Sequence, residues 1–192
     1  MPLPPRAEPR VPLTGATAEL WSRTDAVGFL RAWVTGEVPA GAHADHTGNR
    51  VAEVPGPGEL VMHWTPTPAL ANLSGGVHGG YTALVCDEAA GIAAASAGER
   101  FVPMLTLDLD VTYLRPAVVG RLHRVEGSVV HAGRQRIVAE ARVLTPDGRL
   151  AATARGSFVP NRAFVELVET ALSAGQNSTL VKRPTSVNPT RA

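Results

Sequence analysis

The sequence predicts an α+β domain in which an antiparallel sheet packs against one long buried helix. Three observations carry that expectation. An apolar, alanine-rich run over residues 81–97 follows a glycine-rich break at residues 75–80, and its few β-branched residues favour helix. From Leu105 the period changes to two: Leu105, Leu107, Leu109, Val111 and Tyr113 alternate with Thr106, Asp108, Asp110 and Thr112, as in a half-buried strand. Pro146-Asp147-Gly148 then separates two further strand-like runs, because Asp and Gly tolerate the backbone angles of a tight turn.

Along the chain, residues 1–13 carry five prolines and are expected to form a disordered or loosely packed arm. Residues 16–34 have helical spacing at Leu20, Trp21, Val27, Leu30 and Trp33, with Thr17 as the candidate N-cap. A loop is expected over residues 36–58 and a short strand over 60–65. The 81–97 helix ends at Gly98, and the alternating strand at Arg115-Pro116. Further strands are expected over residues 122–131, 137–144 and 150–159. In the 137–144 strand, Ile137, Ala139, Ala141 and Val143 share one side. A short helix over 164–172 and a flexible tail over 174–192 complete the chain. The organisation expected is therefore an N-terminal arm, helix and loop (1–58), a central domain (59–160) and a C-terminal extension (161–192). One sheet cannot cover every side of a buried helix, so a second copy of the chain is expected against it.

Composition narrows the function. The 192 residues include 18 basic and 17 acidic ones, a net charge of +1. Without a clustered basic footprint, nucleic acid is not an expected partner. One cysteine, Cys86, permits no internal disulfide. The proline-rich, charged start does not read as a signal peptide, and no apolar stretch has transmembrane character. A cytoplasmic location away from membranes is the expectation.

The central helix holds the chemistry. It is apolar almost all round, yet Asp87 and Glu88 stand in its middle, and buried carboxylates are rare without partners or a task. Seven helical steps from Gly80 to Asp87 sum to roughly 700°, about 20° short of two turns, so the two lie on one face. Glu88 is rotated away, towards a subunit boundary or solvent. Gly79 and Gly80 allow close approach of a ligand to the backbone. The first N–H groups of a helix lack intrahelical partners and sit in positive potential, which makes an oxyanion hole. A carboxylate further along that face can activate water or attack directly. Taken alone, Asn72 also reads as a turn residue, His78 as a helix cap and Thr106 as an ordinary strand residue. Cys86 reads as core. The His43, Asp45 and His46 cluster reads as a polar loop, since it lacks structural-zinc spacing.

The stretch NLSGGVHGGYTALVCDEAAG resembles the motif of hotdog-fold acyl-CoA thioesterases, in the branch that includes the phenylacetate-pathway enzymes. There an Asn precedes a His-Gly-Gly by six residues and an acidic residue follows the His by nine. Asn72, His78 and Asp87 reproduce both spacings. The downstream TLDLDVTYLRPA resembles the family's next strand, with Thr106 placing the water or the carboxylate. The resemblance covers roughly residues 60–159. It implies a hotdog fold, a dimer whose sheets join side by side and often pair again, and active sites at the dimer interface. Asp87 would be general base or nucleophile, with Asn72 and His78 supplied across the interface and the Gly80 amide polarising the thioester carbonyl. Acyl-CoA is the implied substrate, with no metal or redox cofactor. Arg115, Arg134 and Arg136 are candidates for the CoA phosphates. A non-catalytic acyl-CoA binder and a hotdog enoyl-CoA hydratase or dehydratase are the competing readings, since a fold does not fix a function.

Overall fold

The computed structural model describes residue 13 and residues 15–180. Its strands are β1 (Asn49–Glu53), β2 (Glu59–Trp64), β3 (Met104–Tyr113), β4 (His123–Ala132), β5 (Ile137–Leu144) and β6 (Leu150–Pro160). They pair antiparallel into one sheet ordered β1-β2-β4-β5-β6-β3. The long helix α4 (Gly79–Ala95) packs against five of them, β2 to β6. This is the expected α+β arrangement. The alanines explain how the sheet can wrap so closely: Ala89, Ala90, Ala93 and Ala94 are fully buried. At Gly127 on β4, an added Cβ would stand 2.2 Å from the Ala89 carbonyl oxygen. Ile137, Ala139, Ala141 and Val143 all point into this core, as their alternation predicts.

Four expectations are corrected. The single helix over residues 16–34 is two, α1 (Gly15–Arg23) and α2 (Ala26–Thr35). Asp25 breaks it by capping α2, accepting a 2.6 Å hydrogen bond from the Gly28 amide; Thr17 lies inside α1 and caps nothing. The expected loop over 36–58 contains a short helix, α3 (Ala42–Thr47), and β1. The sheet therefore begins at Asn49, before the expected boundary at residue 59. Gly48 makes the turn between α3 and β1 at φ 78°, where a Cβ would strike the Thr65 carbonyl oxygen.

The β3 alternation does not bury its leucines evenly. Leu105 and Leu107 are 51% and 58% exposed, because β3 is an edge strand and an irregularity between Thr106 and Asp108 shifts its register against β6. Finally, the C-terminal helix α5 (Arg162–Leu180) runs past Leu172 into the expected tail; residues 181–192, like the arm over 1–12, lie outside the described residues. α5 packs on α1 through an edge-to-face contact of Phe164 with Trp21, whose indole N–H donates to the Phe101 carbonyl at 2.6 Å. Among the described residues, no helix is long and apolar enough to cross a membrane.

Candidate active site

Asp87 sits on the third turn of α4, beside the first residues of β3. The Thr106 hydroxyl donates to Asp87 Oδ1 at 2.9 Å. Both residues line a cavity of about 500 Å³, together with Glu88, Gly91 and Ala95 of α4, Phe29 and Trp33 of α2, and Phe164 of α5. Apart from His43 the rest of the lining is largely apolar, with Ile92, Phe101 and Met104 in its walls. A carboxylate pinned by one hydroxyl at the end of an apolar cavity is placed to act on a polar group whose tail fills the rest.

Glu88 does not face solvent or open boundary. Its side chain is 16% exposed, held by His43 Nε2 at 2.8 Å from Oε1 and by the Asn49 side-chain amide on Oε2. The helix α3 and strand β1 thus exist partly to satisfy this second carboxylate, as a buried charge requires. The remaining residues of the histidine cluster disperse: Asp45 pairs with Arg50, and His46 lies against the Tyr81 ring. Among the described residues no group of three or more metal-ligating side chains is present. Cys86 is fully buried, and burial, then the neighbouring Asp87 charge, push its thiol up to about 12.

At the helix N-terminus His78 takes its capping role and Asn72 its turn role. His78 is the N-cap of α4, and its Nδ1 accepts from the Gly80 amide at 3.0 Å. The N–H expected to polarise a carbonyl is therefore engaged by the chain's own imidazole. The Gly79 carbonyl accepts from the Tyr113 hydroxyl at 3.0 Å. Asn72 shapes the preceding turn: its side-chain oxygen accepts from Ser74 N at 2.9 Å and its backbone N–H donates to the Gly76 carbonyl at 2.7 Å.

Within one chain these two clusters remain apart. Seven residues at a rise of 1.5 Å put Gly80 about 10 Å from Asp87 along the helix, and Asn72, His78, Gly79 and Gly80 do not line the cavity that holds Asp87 and Thr106. The arginines divide the same way. Arg115 follows β3 at its Tyr113 end, its guanidinium donating to the Leu150 carbonyl at 2.7 Å. Arg134 lies in the β4–β5 turn, at the Thr106 end. Strand rise places the two ends on the order of 25 Å apart. Arg136 is committed to Asp108 and Ser157. Sequence reasoning missed His43 and Asn49 as partners of Glu88, and Phe29 and Phe164 as cavity walls. The only signal was that Glu88, in so apolar a helix, needs a partner.

Residues 74–152 match the profile of the thioesterase superfamily. A protein of Halobacterium salinarum provisionally named an esterase is 40% identical over 92 residues, spanning 44% of this chain. The match takes in 60% of that relative's length. Among solved structures, a phenylacetic acid degradation-related protein of Ralstonia eutropha JMP134, provisionally named a thioesterase, superposes with a TM-score of 0.61 at 28% identity, covering 67% of this chain and 97% of that one. A hypothetical thioesterase from Streptococcus pneumoniae TIGR4, solved with coenzyme A, gives 0.54 at 24% identity, covering 59% and 88%. The sheet wrapped on α4 is thus a hotdog fold. Through residues 74–152 the chain is similar to members of the thioesterase superfamily.

Proposed function

We propose that the protein hydrolyses acyl-CoA thioesters to the free acid and CoA. The observation that carries this reading is the Thr106-bound carboxylate of Asp87 at the end of an apolar cavity. In the reaction, Asp87 takes a proton from water as that water adds to the thioester carbonyl, or its own oxygen adds first. The tetrahedral intermediate then expels the CoA thiolate, which is protonated on leaving; where Asp87 adds first, water then cleaves the acyl–aspartyl anhydride, freeing the acid and restoring the carboxylate. Donors aimed at the developing oxyanion stabilise this step.

Those donors come from a second chain in this account. Gly80 is about 10 Å along the helix from its own Asp87, so one thioester carbon cannot reach both, whereas a homodimer can bring one chain's Gly80 to its partner's Asp87. The His78 ring must then rotate off the Gly80 amide when substrate binds, with His78 and Asn72 bordering the hole. The free edge of β3, with exposed Leu105 and Leu107, suits the joining of two sheets, and dimers can pair again. Such a site takes Arg134 from the chain that supplies Asp87 and Arg115 from the chain that supplies Gly80, which reconciles their separation as candidate phosphate contacts. That the same fold holds coenzyme A in the pneumococcal neighbour accords with this use.

Two inactive variants test the two-chain site. Asp87→Asn and Gly80→Val chains, each inactive alone, should regain CoA release when mixed subunits form heterodimers with one intact site. Mixed dimers without activity would contradict it. One observation favours a second reading, an enoyl-CoA hydratase: His43 and Glu88 pair within the same cavity as Asp87. Loss of enoyl-CoA ultraviolet absorbance on incubation with the protein would support that alternative, and an unchanged spectrum would dismiss it.

A further inference from the structure

The family match ends well short of the cavity's roof. Phe29, Trp33, Val38 and Pro39 lie before residue 74 and Phe164 lies after residue 152, so much of this cavity's wall is built by segments outside the matched stretch. Its floor is a line on α4. Asp87, Gly91 and Ala95 are spaced four apart, stacking along one face, and all three line the cavity. Beyond the carboxylate the floor carries almost no side chain. The trough from Asp87 to Ala95 is about 12 Å long at 1.5 Å per residue. Over it Phe29 stacks on Phe101 with ring centroids 5.1 Å apart, and Trp33 meets Phe101 edge-on at 6.3 Å.

Resting on the hydrolytic reading above, we infer that this trough is an acyl-chain channel of fixed length, and that the enzyme takes uncharged medium-chain acyl groups measured by Trp33 and Phe29. With bonds of about 1.5 Å, an extended alkyl chain advances roughly 1.3 Å per carbon, so the trough accommodates roughly nine carbons beyond the thioester. Among the described residues no lysine or arginine lines the cavity, and the charged groups there are Asp87 and the His43-bound Glu88 at one end. A substrate with a carboxylate at its far end would bury that charge unpaired among aromatic rings, which is costly.

The experiment is a chain-length series of acyl-CoAs from acetyl to palmitoyl on the full chain, with CoA release as the readout, and with sebacyl-CoA as the charged counterpart of decanoyl-CoA. We expect kcat/KM to peak at octanoyl to decanoyl, at least about tenfold above acetyl, given that single methylenes discriminate by roughly tenfold or more in fitted pockets. Sebacyl-CoA should fall well below decanoyl-CoA. Trp33→Ala should move the peak by two or more carbons towards longer chains, with Trp33→Phe intermediate. A flat profile, equal use of sebacyl-CoA, or a peak unmoved in Trp33→Ala would overturn the channel.

Binding is read separately by titrating decanoate against tryptophan fluorescence. Saturable quenching that is lost in Trp33→Phe supports the channel even if no acyl-CoA is hydrolysed, in which case the hydrolytic reading alone fails. Hydrolysis with no chain-length preference and no quenching sinks the channel and leaves the hydrolytic reading intact.

Discussion

Thr106 Oγ1 donates a 2.9 Å hydrogen bond to Asp87 Oδ1, tying the edge strand β3 to the third turn of the central helix. The bond occupies one carboxylate oxygen of a residue that lines the cavity. It also stands beside the register shift between Thr106 and Asp108, and such irregularities re-aim side chains next to active sites. In the proposed hydrolysis Thr106 is a positioning residue. Thr106→Val keeps the shape and removes the donor. We expect it to lower kcat by about tenfold or more with little change in KM, the signature of an interaction expressed in the transition state, while Thr106→Ser retains most activity. Steady-state kinetics of the three proteins on one good acyl-CoA check this.

The approach of α4 to β4 makes a stability prediction. A Cβ on Gly127 would lie 2.2 Å from the Ala89 carbonyl oxygen and 2.7 Å from its carbon. Both are backbone atoms that cannot swing aside. Gly127→Ala should destabilise the protein by about 3 kcal/mol, the upper range for overpacking, and lower Tm accordingly. Gly76→Ala, where only the Asn72 amide nitrogen comes within 4 Å at 3.9 Å, should stay within about 0.5 kcal/mol of wild type. Denaturant titrations compare the two.

His123 makes the stability depend on pH. It is fully buried against Trp64; its Nε2 accepts from the Val118 amide at 3.2 Å and its Nδ1 donates to the Arg121 carbonyl at 2.8 Å. That pattern needs the neutral ring. Burial pushes its pKa down, only partly offset by the backbone hydrogen bonds. A histidine lowered on folding is protonated first in the unfolded chain, so its contribution is intact above the ordinary value of about 6.5 and is lost as pH falls below it. Urea midpoints should therefore drop between about pH 7.5 and pH 5.5, and His123→Leu should be less stable at the higher pH yet flatter across that window. An equal slope in the variant would remove His123 from the account.

Cys86 should be inert. Its sulfur is buried and its thiol is pushed up to about 12, by burial first and by Asp87 second, so almost no thiolate exists at neutral pH. Native protein should not react with a thiol reagent over the course of a turnover assay, and should react fully once unfolded. Rapid labelling of the native chain would show that α4 opens.

Much of this was legible in the sequence, for physical reasons that also mark where legibility ended. The period-two runs found β3 to β6, and the alanine-rich run found α4, because those patterns are set by burial on one or all sides. The spacing of Asp87 from His78 singled out the helix that now carries the carboxylate, and Thr106 was placed against it. The break at Asp25 was hidden because the apolar positions of α1 and α2 keep helical spacing across it, and a local cap decided against continuation. Strand β1 has too few apolar residues to announce itself and forms through its pairing with β2. The partners of Glu88 were invisible because His43 and Asn49 are about forty residues distant in sequence. The capture of the Gly80 amide by His78 was unreadable for a different reason: the same residue serves as cap or as catalytic neighbour, and only side-chain geometry chooses.

The measurement that bears most directly on the central claim is CoA release by wild type and Asp87→Asn, side by side, on the best substrate of an acyl-CoA panel. The substitution preserves size and the Thr106 contact while removing the base, so folding and substrate binding should persist. The account predicts that turnover falls by about a hundredfold to ten-thousandfold, the range for losing a general base. Full turnover in Asp87→Asn would contradict it and move the chemistry elsewhere in the molecule.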